Sequence, residues 1–399
     1  MPDSRAWVFS SRGDPSDVLS LTSRPTPTLP PSLPLPRDVP VPEEWIVVKV
    51  AFAGLNVGAI FQMTLIPSFI RSSTCIPEMD LSGVVTDVWN PDEGQVAAGH
   101  GSKGRFKKGD KIVAMLPANH ALATGTGALA EYITFPARYA VAKPAGTSFG
   151  DAAGCLLAGM TARQMVLEAA VKKRNRVLVN AASGGIGTMV VQMVRRIVGE
   201  DGYVVGICSG KNLDLVKGLG ADEVMTIITG GGPSSALANG EQVIDYTQHS
   251  NLASHLVTLF SANPFHVIID TRGHQSLYVA SPSYLLPEGV YSSVGIKPPS
   301  FAVPNFLRAV WQMKLNEWWP VSRWLGGTGR LWRGVSMMAP TLEDRERIVG
   351  MLASGEVKVV RDSVWAFDDA KKAYQHLAGG HARGKVLVKV DPDLGDDEC

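Results

Sequence analysis

Hydrophobic and polar positions change their period along this chain. Between residues 147 and 338, short apolar runs alternate with segments whose apolar residues recur at helical spacing. The runs lie at 176–181, 203–208, 266–270 and 289–295. Strands that alternate with helices are typical of βαβ units, so this stretch predicts an α/β domain with a doubly wound parallel sheet.

The flanking segments have a different pattern. Residues 1–146 read as strands and turns, with strands predicted at 45–52, 81–88 and 111–115. The tail, 339–399, holds a predicted helix at 367–378 and an alternating strand at 384–390. We therefore expect a β-rich domain, formed by 1–146 and completed by 339–399, around an inserted nucleotide-binding domain at 147–338.

Composition narrows the class of protein. The 399 residues are 45% hydrophobic, with 38 basic and 37 acidic side chains, which offers no electrostatic footprint for nucleic acid. Four scattered cysteines form no Cys-x-x-Cys pair, which argues against a disulfide framework and favours a reducing, cytoplasmic compartment. No signal pattern or run of eighteen mainly apolar residues is present, so no secretion or membrane span is expected.

A glycine turn follows the first of the apolar runs. Ala182, Gly184 and Gly187 form an Ala-x-Gly-x-x-Gly pattern between that strand and an apolar stripe at helical spacing. Backbone N–H groups and a helix N-terminus at such a turn bind a pyrophosphate. The alternative is a glycine-rich turn that holds no ligand.

The end of the second strand bears on which dinucleotide binds. An acidic residue there would accept hydrogen bonds from a free ribose 2′-hydroxyl, but this chain has Ser209, Lys211 and Asn212. A hydroxyl, a cation and an amide suit a 2′-phosphate, so the pattern favours NADP(H). The alternative is that Lys211 is simply solvated at a helix start.

Motifs along nearly the whole chain carry a family resemblance. They lie at 53–56, 77–85, 106–113, 127–132, 152–162, 182–187, 219–224 and 384–388. The chain resembles the medium-chain dehydrogenase/reductase superfamily, in particular its zinc-free quinone oxidoreductase (zeta-crystallin-like) branch and fungal zinc-type alcohol dehydrogenase-like proteins. The resemblance implies a GroES-like catalytic domain, a Rossmann domain with the nicotinamide in the cleft between them, and NADPH-dependent reduction of quinones or activated carbon–carbon double bonds.

The resemblance also implies roles for individual residues. Asn56 would lie beside the nicotinamide as the best candidate to donate a hydrogen bond to a developing anion, its alternative role being that of a turn residue. The resemblance implies that Ser183, Gly185 and Ile186 hold the pyrophosphate. Further cofactor contacts are implied for Thr161, for Tyr246 beside the 2′-phosphate, for Gly295 after a Rossmann strand, and for Lys385.

Catalytic zinc is not expected. Zinc alcohol dehydrogenases place a thiolate near the position of Asn56 and an imidazole near 78–80, and this chain has neither there. His100 and His120 are nearby in sequence, but lone loop histidines are expected to be solvated.

Two segments depart from the family pattern. Residues 225–242 resemble an inserted loop, and 301–335 hold five of the nine tryptophans with several cations. Tryptophan with arginine or lysine suits a peripheral membrane contact. We favour a substrate lid or a homodimer contact, because clear helical segregation is missing.

Three functions stay open. An NADPH-dependent quinone or enone reductase acting on a small electrophile comes first. A trans-acting enoyl reductase of polyketide assembly and a membrane-associated cofactor-binding protein without turnover are the alternatives.

Overall fold

The computed structural model describes residues 3–29, 43–91, 104–228, 243–245, 249–298, 300, 302–319, 327–335 and 340–396. They form two compact units, Met1–Met160 with Met337–Cys399, and Thr161–Ser336. We call these the sheet-rich unit and the parallel-sheet unit. The first domain boundary predicted from the sequence lies at 146/147, whereas the boundary between the two units lies inside the helix Phe149–Glu168.

The described strands, in chain order, are β1 (Asp3–Val8), β2 (Ser20–Pro25), β3 (Trp45–Gly54), β4 (Asp80–Trp89), β5 (Lys111–Met115), β6 (Tyr132–Pro136), β7 (Ala140–Ala142), β8 (Arg176–Asn180), β9 (Tyr203–Ser209), β10 (Glu223–Ile228), β11 (Val243–Asp245), β12 (Phe265–Asp270), β13 (Leu285–Ser293), β14 (Leu331–Gly334), β15 (Arg361–Ala366) and β16 (Lys385–Lys389).

The described α-helices are α1 (Pro15–Val18), α2 (Val57–Leu65), α3 (Ala118–Thr124), α4 (Phe149–Glu168), α5 (Gly185–Val198), α6 (Leu213–Gly218), α7 (His249–Phe260), α8 (Gln275–Ala280), α9 (Val303–Trp318), α10 (Leu342–Ala353) and α11 (Ala370–Ala378). Among the described residues, no helix combines the length and the apolar character needed to cross a bilayer.

The sheet-rich unit is built on a seven-stranded sheet. Its order is β15-β16-β3-β4-β5-β7, with β6 also paired to β3. Strand β3 is antiparallel to β4, β6 and β16, and its residues are almost all buried. Because β3 and β16 come from opposite ends of the chain, the C-terminal segment completes the unit's core.

The parallel-sheet unit contains the predicted doubly wound sheet. The strand order is β11-β10-β9-β8-β12-β13-β14, and every adjacent pair is parallel. The chain runs outward from β8 through β9 to β11, then returns to β12 on the other side of β8. Ligands of such sheets bind where the strand order reverses, which here is beyond the carboxyl ends of β8 and β12.

Helix α9 corrects one premise of the sequence analysis. The sequence of 301–335 shows no clear helical segregation, but residues 303–318 of this segment form one helix with an exposed apolar face. Its inward positions include Ala309 and Asn316, both buried. Apolar and polar residues are therefore segregated on α9, but the apolar side faces solvent. An amphipathic helix ordinarily turns its apolar stripe toward the core.

Candidate coenzyme turn and buried polar cluster

The glycine turn joins the carboxyl end of β8 to helix α5. A Cβ on Gly187 would lie 2.1 Å from the carbonyl oxygen of Ala181 and 2.9 Å from Cα of Ala182. Ala181 itself adopts a left-handed φ of 56°, which is uncommon for a residue with a side chain. Gly187 therefore permits the close packing of helix on strand.

Gly184 has a different environment. A Cβ there would meet only the Ala181 oxygen, at 3.4 Å, an ordinary contact. Gly184 is the N-cap of α5 and no side chain caps this end of the helix. The first N–H groups of a helix have no intrahelical acceptor, so they are available to an anion at this turn.

Asn212 links the turn to the end of β9. Its Nδ2 donates to Ser183 Oγ at 3.0 Å and to Ser209 Oγ at 2.9 Å. Its Oδ1 is buried and has no hydrogen-bond partner in the described part of the chain. Lys211 is exposed. The structure thus brings Ser183, Ser209 and Asn212 together, and the orphaned oxygen and the open helix end fit a dinucleotide.

The two strands at the reversal point are joined by a buried polar pair. Asn180 Nδ2, at the end of β8, donates to Asp270 Oδ1, at the end of β12, at 2.8 Å. Asp270 also accepts from the backbone N–H groups of Arg272, Gly273 and His274. Asp270 therefore caps this strand end and fixes the loop after it.

Five polar side chains meet inside the sheet-rich unit, and we call them the Asn56 cluster: Asn56, Glu78, Asp80, Tyr374 and Lys385. Asn56 is the N-cap residue of α2, Asp80 begins β4, and Lys385 begins β16. All five are buried, and Asp80 is 0% exposed. The cluster joins segments from both ends of the chain.

Asn56 is fully engaged by its neighbours. Its Nδ2 lies 2.9 Å from the Gly54 oxygen, 3.3 Å from Glu78 Oε2 and 3.2 Å from Asp80 Oδ2. Its Oδ1 accepts from Lys385 Nζ at 2.7 Å. The two amide hydrogens thus already face protein acceptors. This arrangement suits a residue that orients the chain before α2 better than a donor to substrate.

Lys385 lies inside this cluster as well. It is 3% exposed, and its Nζ lies 3.1 Å from the Leu55 oxygen and 3.6 Å from Asp80 Oδ2. Its ammonium group is thereby engaged with acceptors of its own unit.

The cluster holds two carboxyl groups and one ammonium group. Burial raises the pKa of Glu78 to about 7, against hydrogen bonds from Asn56 and Tyr374 that lower it. Burial also raises the pKa of Asp80, opposed by the nearby Lys385. Glu78 has a left-handed φ of 72°, so a strained backbone position holds this buried carboxyl group.

These residues do not fit a catalytic zinc. The cluster offers carboxylates, an amide and a phenol but neither a thiolate nor an imidazole, and Lys385 already supplies its cation. Among the residues that the structure describes, no group of three or more His, Cys, Asp or Glu could hold a metal ion.

The expectation for His120 was wrong. It lies on α3, is 2% exposed, and its ring centroid is 5.1 Å from that of Tyr139. Burial and the nearby Arg138 lower its pKa to about 4. His120 is a neutral core residue.

The remaining predicted site residues lie in the parallel-sheet unit. Thr161 is buried on α4, and Gly295 has a φ of 128° and accepts a hydrogen bond from Ser293 Oγ at its carbonyl oxygen. Gly185 and Ile186 begin α5. Tyr246 lies outside the described residues, as does most of the 225–242 insertion.

Sequence reasoning missed Glu78 and Tyr374. Glu78 was considered only as a position without a zinc ligand, and Tyr374 was read as part of a helix. A buried acid beside Asp80 in the same short motif was a signal, but its partner Tyr374 is 296 residues away.

Comparisons with known proteins agree with this architecture. A family described as zinc-binding dehydrogenase matches residues 239–388. The medium chain reductase pydE of Acremonium sp is 30% identical over 97% of this chain and 98% of its own length. The trans-enoyl reductase pgmF of Aspergillus terreus is 30% identical over 98% of each.

A solved structure shares the fold. The quinone oxidoreductase from Coxiella burnetii has a TM-score of 0.66 and 21% identity, covering 98% of this chain and 100% of its own. A sheet-rich domain and a parallel-sheet domain in one chain match this architecture. With full-length identity of 30% to a medium chain reductase, this chain belongs to the medium-chain dehydrogenase/reductase superfamily of oxidoreductases.

Proposed function

We propose that the chain is an NADPH-dependent reductase of quinones or of activated carbon–carbon double bonds. The observation that carries this proposal is the turn after β8. Gly187 permits helix-on-strand packing, whereas Gly184 leaves open space beside an uncapped helix N-terminus. This is the division of roles that a pyrophosphate-binding turn requires. Ser183, Gly185 and Ile186 are the proposed neighbours of the pyrophosphate.

The proposed preference for NADPH rests on Ser209, Lys211 and Asn212. Asn212 holds Ser209 toward the turn, and exposed Lys211 adjoins them in sequence. A cation and a hydroxyl group favour a 2′-phosphate over a free 2′-hydroxyl. Thr161 and Gly295 remain proposed cofactor contacts.

The nicotinamide supplies a hydride when it is bound, and the protein supplies position. We propose that Asn56 and Lys385 contribute by fixing the chain before α2, since their polar atoms face one another and two carboxyl groups. The reaction is proposed to proceed without zinc, because the cluster lacks the ligands that zinc prefers.

A second candidate is a trans-acting enoyl reductase, whose substrate is an acyl thioester with a conjugated double bond. The trans-enoyl reductase pgmF, which matches over 98% of both chains, favours it. The Coxiella burnetii quinone oxidoreductase shares the fold at lower identity, so quinones stay in the proposal on weaker grounds.

The test is coenzyme titration followed by a substrate panel. A ligand that binds only the folded protein raises the free energy of unfolding by RT ln(1 + [L]/Kd). We therefore expect NADPH to raise the melting temperature more than the same concentration of NADH does. NADPH oxidation is then measured with a quinone, a free enone and an enoyl thioester. Thermal stability unchanged by either coenzyme would refute the proposal, and turnover of the thioester alone would select the second candidate.

A further inference from the structure

Helix α9 carries an exposed apolar face. Val303, Leu307, Trp311 and Trp318 are 41%, 60%, 60% and 70% exposed, and their spacing places them along one side of the helix. Phe306, Val310 and Trp319 are exposed beside them. From these exposed fractions, the four aromatic residues of this face together present roughly 500 Å² to solvent. They are Phe306, Trp311, Trp318 and Trp319. The largest apolar patch of an ordinary monomer has about this size, and such a patch is often functional.

The opposite side of α9 holds the helix to its own unit. Asn316 exchanges hydrogen bonds with Gln275 on α8, at 2.8 and 3.1 Å, and accepts another from Gln312. Met313 packs against the core of the parallel-sheet unit. The helix is therefore fixed by its inward side, and the side chains of Val303, Leu307, Trp311 and Trp318 are turned to solvent.

The charged residues of α9 indicate which kind of partner would fit its exposed apolar face. Arg308 and Lys314 are exposed, and the one acid of the helix, Glu317, is bound to Lys314 Nζ at 2.6 Å. Arg308 lies one turn before Trp311, and Lys314 lies one turn before Trp318. Tryptophan beside cations on an excess-positive helix complements an anionic lipid surface.

A second copy of the chain fits this face less well. An antiparallel pair of helices crossing at Trp311 would place Lys314 of one copy level with the exposed Arg308 of the other along the helix axis. The excess positive charge of each helix thus opposes pairing with a second copy and favours an anionic lipid surface.

We propose that the outward face of α9 docks the protein on an anionic membrane surface, with Trp311 and Trp318 entering the headgroup region. The helix lies in the plane of the interface and does not cross the bilayer. This would bring an oxidoreductase to apolar substrates dissolved in lipid.

Flotation of the full-length protein tests the proposal. Vesicles of phosphatidylcholine with about a quarter phosphatidylserine are compared with pure phosphatidylcholine vesicles. We expect binding to the anionic vesicles, and a loss of about tenfold or more in the Trp311→Ser/Trp318→Ser variant. The control variant, Phe69→Ser/Ile70→Ser, removes two apolar side chains that are 85% and 59% exposed elsewhere and is expected to bind as the wild type does.

A charge reversal gives a second, independent readout. Arg308→Glu is expected to lower binding to anionic vesicles by about tenfold and to leave thermal unfolding unchanged. The proposal is overturned if the protein does not float, or if both variants float as the wild type does. It is equally overturned if the protein is a dimer that the tryptophan variant splits without any effect of lipid.

Discussion

Lys385 Nζ donates to Asn56 Oδ1 at 2.7 Å and lies 3.6 Å from Asp80 Oδ2, inside a unit whose two halves come from opposite ends of the chain. A buried ammonium group is retained only when its hydrogen bonds and charge are matched. Here the amide, the carboxyl group and the Leu55 carbonyl supply that match, so one C-terminal side chain fixes the start of α2.

Replacing Lys385 tests this relationship. Lys385→Met leaves Asp80 and the Asn56 oxygen buried without their cation, so we expect the free energy of unfolding to fall by about 3–5 kcal/mol in urea titrations. Lys389→Met is the matched control, because Lys389 lies on the same strand and its Nζ bonds only an exposed carbonyl oxygen. Equal losses in the two variants would contradict a special role for Lys385.

Glu78 makes stability depend on pH. Its pKa in the folded protein, about 7, lies above the ordinary 4.5, so the folded state binds this proton more tightly than the unfolded chain. The resulting stabilisation is fully present below about pH 4.5 and is lost as pH rises through about 7. That rise in pKa corresponds to about 3 kcal/mol.

Glu78→Gln should remove that dependence. We expect the wild type to lose stability relative to Glu78→Gln between about pH 4.5 and 7, measured as the difference in unfolding free energy at each pH. Tyr374→Phe, which deletes the phenol that donates to Glu78, should shift the wild-type transition to higher pH. A difference between wild type and Glu78→Gln that stays constant with pH would refute this.

Alanine substitutions at Gly184 and Gly187 should affect different properties, coenzyme binding at Gly184 and stability at Gly187. Gly184→Ala adds a methyl group that the protein accommodates, so we expect unchanged unfolding but at least about tenfold weaker coenzyme binding. Calorimetric titration with NADPH measures this loss. Gly350→Ala, where nothing lies within 4 Å of the added Cβ, is the control for coenzyme binding, and because Gly350 lies inside α10 this variant is expected not to lose stability.

Gly187→Ala places its Cβ against the Ala181 carbonyl, so we expect a loss of about 1–3 kcal/mol in stability. If Gly184→Ala bound coenzyme as tightly as wild type, the open space at Gly184 would not be the pyrophosphate site.

Lys211 should discriminate between coenzymes. Lys211→Ala removes the cation proposed to face the 2′-phosphate, so we expect KM for NADPH to rise about tenfold with little change for NADH. Steady-state kinetics with both coenzymes measures it, and Lys217→Ala, an exposed lysine on α6, serves as the control. A parallel rise for both coenzymes would remove Lys211 from the 2′-phosphate site.

Local pattern was sufficient for four of the seven described strands of the parallel sheet, β8, β9, β12 and β13, and for the turn between β8 and α5. Strand and helix periodicity repeat within a few residues, and a glycine turn is read from its own short motif. The α/β class and the glycine turn were therefore predictable from residues 176–187 and the apolar runs that follow. The structure adds the hydrogen bond from Asn212 to Ser183, which connects the turn to the end of β9.

Tertiary structure decided the Asn56 cluster and the outward face of α9. Asn56 was predicted as a hydrogen-bond donor to substrate, yet its amide is engaged by Glu78, Asp80 and Lys385, and Lys385 is 329 residues away. The spacing of Trp311 and Trp318 describes a helix, but the hydrogen bonds of Asn316 with Gln275 and the packing of Met313 determine which side turns outward. Periodicity reports neighbours along the chain, whereas burial, charge pairing and exposure depend on residues that only folding brings together.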